Sequence, residues 1–87
     1  MNIHFSHIIK AGERNREFNL RKVSSGSAMV YHIDVPDDKG NRVFFTMRQN
    51  KEGEWRMVEQ VLPSWLYDAE AAIGEAIKQK EHQTSYR

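Results

Sequence analysis

Five residues are placed where they could hold phosphates and stack a base: Arg21, His32, Arg48 and Arg56 for the anion, and Phe44 for the base. Each lies in a run of Val, Ile, Phe, Tyr or Trp that alternates with polar residues, the period-two pattern of a half-buried strand. An antiparallel register built from that alternation aligns Asn19, His32, Thr46 and Arg56 in one cross-strand row. Arg21, Val30, Arg48 and Glu54 make a second row, and Glu17, Asp34, Phe44 and Val58 a third. Guanidinium and imidazole groups beside an aromatic ring on an open sheet are the chemistry that holds phosphates and stacks a base. The same face has a plainer reading as a solvated or partner-covered surface. Arg48 is expected to pair with Glu54, Glu17 and Asp34 dilute the positive charge, and arginine stems commonly cover apolar sheet atoms.

Val30, Phe44 and Val58 fall on this face too, and three large apolar groups facing water would form a patch of the kind that marks an interaction site. Two covers are expected for it. One is the chain's own N-terminal Ile3, Phe5, Ile8 and Ile9; the other is a second copy of the chain in isologous contact.

Other constellations are thinner. His4 and His7 are three apart and would share a face on a helix, but no Asp, Glu or Cys cluster completes a three- or four-ligand metal site. Asp34, Asp37 and Asp38 lack the alternate spacing and distal Glu of a calcium loop and are expected to shape a turn. Ser24, Ser25 and Ser27 sit in a turn with no nucleophile elbow and no assignable His–carboxylate partner. No Gly-rich phosphate loop leads from a strand into a helix. The expectation is a non-enzymatic chain with no catalytic residues, no cofactor and no metal.

The elements that position these residues follow from three turn signals: Ser24-Ser25-Gly26-Ser27, Asp37-Asp38-Lys39-Gly40-Asn41 and Asn50-Lys51-Glu52-Gly53. They divide the chain into predicted strands over 17–23, 28–35, 42–49 and 54–61. One face collects Phe18, Leu20, Met29, Tyr31, Ile33, Val35, Val43, Phe45, Met47, Trp55 and Met57. Val35 is matched with Val43, Ile33 with Phe45, Tyr31 with Met47, Met47 with Trp55, Phe45 with Met57, Leu20 with Tyr31 and Phe18 with Ile33. No apolar residue changes side in this register. Leu62-Pro63-Ser64 then stops the sheet, and Ser64 is placed to cap a helix over 64–81. Asp68 and Glu70 suit its N-terminal end, and Leu66, Ala69, Ile73, Ala76 and Ile77 form its apolar stripe. Gly74 lies off that stripe, either as an exposed glycine or as a point of close approach between protomers. Residues 82–87 read as a frayed tail. Residues 1–16 form an N-terminal segment, of which residues 1–12 stay open between strand, helix and arm.

The predicted fold is therefore α+β: a four-stranded antiparallel β-meander over 17–61, packed on one face by a C-terminal helix, in a single domain of 87 residues. Cysteine is absent, which excludes disulfides and thiolate metal sites and fits a cytoplasmic protein. No signal-peptide pattern and no apolar run of membrane-spanning length is present. Net charge is +1. Residues 1–23 carry Lys10, Arg14, Arg16, Arg21 and Lys22 against Glu13 and Glu17, a mildly basic arm that would suit a polyanion.

The run Arg16-Glu17-Phe18-Asn19-Leu20-Arg21, the strand Tyr31-His32-Ile33-Asp34-Val35, and Trp55 followed by Leu62-Pro63-Ser64-Trp65 through Ile77 resemble a group of short uncharacterised bacterial proteins. In architecture alone, four antiparallel strands followed by a helix is similar to the PC4-like and Whirly single-stranded-DNA-binding domains. That resemblance implies dimerisation and strand binding on the sheet, and none of their motifs is matched residue by residue. The leading expectation is a small non-catalytic protein-interaction module, possible as a homodimer, acting through the second sheet face or a strand edge. Its alternative is a single-stranded nucleic-acid binder using Arg21, His32, Phe44, Arg48 and Arg56.

Overall fold

A computed structural model describes residues 3–58 and 60–85, with side chains as far as His82. Five antiparallel strands run in the order β1 (His4–Ala11), β2 (Arg14–Ser25), β3 (Ala28–Pro36), β4 (Arg42–Gln49) and β5 (Trp55–Met57). The sheet curls into a half-barrel. A short helix α1 (Ser64–Tyr67) leads into α2 (Glu70–Ser85). The α+β class, the antiparallel sheet and the C-terminal helix agree with the sequence; the strand count is five, not four.

The extra strand comes from the segment whose conformation the sequence left open. Ala11 pairs with Arg14, so the β1–β2 hairpin turns through two residues, and the first of them, Gly12, has φ +73°. The β2–β3 hairpin repeats the device, with Ser25 opposite Ala28 and Gly26 at φ +65°. A glycine of positive φ at the first loop position is the type II′ turn, whose twist matches that of the flanking strands. The expected cover of the second face by the N-terminus is thus overturned. Ile3, Phe5 and Ile9 join the core that α2 closes, while Ile8 points the other way and is 66% exposed.

The β3–β4 register is as read: Val35 opposite Val43, Ile33 opposite Phe45, Tyr31 opposite Met47. The other two hairpins are displaced by two residues. Leu20 faces Ile33 rather than Tyr31, and Met47 faces Met57 rather than Trp55. The two-residue II′ loop causes the first displacement. The second comes from the loop after β4, where Asn50 Oδ1 accepts from the Glu52 and Glu54 backbone N–H groups at 3.0 and 2.9 Å. A displacement of two keeps every side chain on its face. Strand β5 is also shorter than the expected 54–61. Gln60 reaches the Phe44 carbonyl with its side chain, the Tyr67 hydroxyl donates to the Gln60 carbonyl, and Val61 is 99% exposed. Position 59, within that expected strand, lies outside the described residues.

The core comprises Ile9, Ala11, Phe18, Leu20, Tyr31, Ile33, Val35, Phe45, Met47 and Trp55 from the sheet, with Leu66, Ala69, Ile73, Ala76 and Ile77 from the helices. This is most of the apolar face and the helical stripe read from the sequence, with Ile9 and Ala11 added from β1; of the expected face, Val43 and Met57 are half-buried against the core and Met29 is 44% exposed beside the β2–β3 turn. Gly74 is corrected as well. It is buried, and a Cβ there would meet Trp55 Cβ and the Trp55 carbonyl at 3.4 Å, so the close approach is between helix and sheet of one chain. Ser64 makes no side-chain cap; Pro63 occupies that position. The helix breaks at Asp68–Ala69 and then continues to Ser85, four residues past the expected end, so most of the expected tail is helical; positions 86 and 87 lie outside the described residues.

Three polar groups, Glu70, Glu81 and Arg16, bind the elements together. The Met57 backbone N–H donates to Glu70 Oε2 at 2.7 Å. The buried Tyr31 hydroxyl donates to Glu81 Oε2 at 2.9 Å, and Lys22 Nζ lies 2.8 Å from the same oxygen. Arg16, 7% exposed, donates through Nε to the Ala11 carbonyl at 2.8 Å, pairs with Asp38 at 3.0 Å and stacks 3.8 Å from the Trp65 ring centre. One guanidinium therefore joins the first hairpin, the β3–β4 turn and α1.

Two stability measurements test this packing. Gly12 has both a left-handed backbone and a Cβ position 3.0 Å from Trp65 Cβ, whereas Gly26 has the same backbone in open space. Gly12→Ala is expected to cost about 2–3 kcal/mol and Gly26→Ala about 1 kcal/mol, read as urea midpoints. Burial, then the bond and charge of Glu81, push the Tyr31 hydroxyl well above its ordinary pKa. The folded state thus keeps this proton to higher pH than the unfolded chain. Its stabilisation is complete below about pH 10 and is lost as pH rises through the folded pKa. Tyr31→Phe should cost about 1 kcal/mol at neutral pH and flatten the alkaline decline, measured as midpoints from about pH 8 to about pH 12.

Candidate anion-binding face of the sheet

Because α2 packs on one side of the sheet, the other side stays open. Strand alternation places His4, Ser6 and Ile8 of β1 there, with Asn19 and Arg21 of β2, His32 and Asp34 of β3, Phe44, Thr46 and Arg48 of β4, and Arg56 of β5. The observed register regroups the expected rows. Asn19, Asp34 and Phe44 lie side by side; Arg21, His32 and Thr46 form the next row; Val23, Val30, Arg48 and Arg56 form the third. Successive rows are about 7 Å apart, two strand residues.

This regrouping changes the electrostatics. Arg48 does not face Glu54, which lies in the β4–β5 loop bonded to Asn50 at 3.1 Å. Arg48 instead sits directly opposite Arg56, a pairing that repels unless an anion lies between. Arg56 comes within 3.9 Å of Glu70, a long contact at a half-exposed position; Arg48 has no ion pair among the described residues. Arg21 has none either, and its cross-strand neighbour is His32. The acids expected to dilute the face do so unevenly. Asp34 is engaged by Arg42 Nε at 3.3 Å and by Asn19 Nδ2 at 3.3 Å, and Asn19 Oδ1 accepts from Ser6 Oγ at 2.7 Å. Glu17 lies at the far end of the face, opposite Ile8.

Phe44 is 67% exposed, one strand from Asp34 and two residues from Thr46. A concavity of about 340 Å³ lies in front of it, lined by His4, Asn19, Arg21, His32, Asp34, Phe44, Thr46 and Gln60. The apolar patch is smaller than the sequence suggested. Val30 is 2% exposed and Val58 only half-buried, which leaves Phe44 as the large exposed apolar group among the expected three. Ile8 is exposed on the same face but three strands away on β1, and no pattern in 1–12 could signal that while the segment read equally as helix.

The basic N-terminal stretch dissolves as a unit. Arg14 and Arg16 are spent on Asp38 and Lys22 on Glu81, so Arg21 and Lys10 are its members without an ion pair among the described residues. His4 and His7 alternate to opposite faces of β1, so helical spacing does not apply to them. Among the described residues no group of three or more His, Asp or Glu is placed to hold a metal ion, and no helix is long and apolar enough to cross a membrane. Comparison of the chain with protein-family models, with curated proteins and with solved structures finds no match.

Proposed function

We propose that this chain is a non-catalytic binding module whose open sheet face takes single-stranded nucleic acid. The observation that carries this reading is the Arg48–Arg56 juxtaposition: two like charges are cross-strand partners, and among the described residues the one carboxylate near either is Glu70, 3.9 Å from Arg56. A phosphate seated there would turn a repulsion into two charge-assisted hydrogen bonds. Arg21 beside His32 offers a second cationic position one row away, and exposed Phe44 a stacking surface one row further. Cations that follow a backbone, combined with an aromatic that accepts any base, are the parts of a strand-tracking surface without sequence preference. Asn19, Thr46 and Gln60 supply neutral donors and acceptors along the same concavity.

The expected protein-interaction module loses its main support with Val30 buried, since its argument needed a contiguous apolar patch. Charge and an isolated aromatic favour a polyanion over an apolar protein surface.

The test is a titration of labelled protein with a mixed-sequence single-stranded oligonucleotide, followed by NMR at low and near-physiological salt. Perturbations are expected around Arg21, His32, Phe44, Arg48 and Arg56 and should persist at the higher salt. Phe44→Ala and Arg48→Ala are each expected to weaken binding about tenfold. Arg48→Ala should also make the slope of log K against log salt shallower by about 0.7, the release from one phosphate contact. Unchanged affinity in both variants would overturn the site, and a diffuse, salt-erased response would overturn the nucleic-acid reading itself.

A further inference from the structure

The two edges of the sheet are built differently. Strand β5 offers three residues before the chain leaves for α1, and Glu70 already occupies the Met57 N–H. Strand β1 offers eight, with no proline, no bulge in its pairing with β2 and no positive φ. Natural edges are shortened, bulged or charged to stop them pairing. Of these devices β1 has Lys10 alone, near its end.

The outward backbone groups of β1 can be assigned. Lys22 N donates to the Ile3 carbonyl at 2.9 Å, so the odd residues of β1 turn their N–H and C=O groups toward β2. His4, Ser6, Ile8 and Lys10 therefore present theirs outward, and these make no hydrogen bond to the described residues. Ile8 also carries an exposed apolar side chain at the middle of this edge, 66% accessible.

We infer that β1 pairs antiparallel with β1 of a second copy of this chain, about a two-fold axis at Ile8. Two requirements narrow the register. Outward-bonding residues must face outward-bonding residues, which keeps the core face and the open face continuous across the join. Like charges must not oppose each other. An axis at His7 would set His7 against its own image and Lys10 against His4. The axis at Ile8 sets Ile8 against Ile8, Lys10 against Ser6 and His7 against Ile9. Three bonded pairs then form about six backbone hydrogen bonds. The edge is self-complementary in bonding and sets no like charges in opposition. The dimer carries one sheet through both copies, with the two open faces on the same side.

Sedimentation velocity over a concentration series tests the association: a dimer that dissociates on dilution is expected, and a monomer throughout would overturn the proposal. Ile8→Lys puts two ammonium groups in direct opposition at an exposed position and should give a monomer, with the urea midpoint of the parent chain when both are compared at a dilution where the parent is dissociated. A dimer that survives this change would place the interface elsewhere. The chain has no cysteine, so Ile8→Cys introduces a single thiol. Bonded antiparallel partners have Cα atoms about 5.5 Å apart, within disulfide reach. Oxidation should link Ile8→Cys into a covalent dimer and leave His7→Cys unlinked; the reverse would overturn the register. The Phe44→Ala variant is expected to dimerise normally, so this association and the nucleic-acid reading can fail separately.

Discussion

The seating of α2 on the sheet is the constraint from which the rest follows. Near its start, Glu70 accepts the Met57 N–H; one turn on, Gly74 lies against Trp55; near its far end, Glu81 holds the Tyr31 hydroxyl and the Lys22 ammonium. Three points along one rod determine both its distance from the strands and its direction. A Cβ at position 74 would sit 3.4 Å from Trp55 Cβ and the Trp55 carbonyl, at the limit of ordinary contact, so the glycine, which weakens an isolated helix by about 1 kcal/mol, leaves the helix free to lie close on β5. Ile73, Ala76 and Ile77 can then reach the core between these anchors. With one face closed in this way, the opposite face is left to solvent.

Arg16 does for the other end of the molecule what Glu81 does for the helix. A buried guanidinium is costly unless each of its donors is engaged, and here it meets the Ala11 carbonyl, the Asp38 carboxylate and the Trp65 ring. Losing any one of these removes part of that compensation, so the hairpin, the β3–β4 turn and α1 are held in mutual position. The first hairpin thereby becomes part of the sheet instead of a free arm. That carries His4, Ser6 and Ile8 onto the open face and extends the surface in front of Arg21.

The face pattern was legible in the sequence, because the side-chain period of a strand is two and survives any register error of two. Phe18, Leu20, Tyr31, Ile33, Val35, Phe45, Met47 and Trp55 all lie on the expected side although two of the three expected hairpins are displaced. Cross-strand neighbours were not legible to the same degree, because a two-residue displacement replaces every partner while leaving every face intact. The candidate site depends on those partners. Its residues could be named from alternation alone, yet whether Arg48 met Glu54 or Arg56 turned on how Asn50 folds the loop between them.

Composition and alternation by themselves determined the α+β class, the antiparallel meander, the apolar stripe of the C-terminal helix and the absence of any cysteine chemistry. These are local or additive properties, carried by residues a few positions apart. Tertiary structure decided the fifth strand, since Ile3–Ala11 fits strand and helix equally until β2 offers a bonding edge. It decided the burial of Val30 and Gly74, and the pairing that silences Arg14, Arg16 and Lys22 while leaving Arg21 and Arg48 free among the described residues. Each of these outcomes depends on groups far apart in the chain, such as Arg16 with Asp38 or Tyr31 with Glu81. A charge is spent or spare according to what folding brings beside it, and that proximity is set by the hairpin turns and the helix seat together.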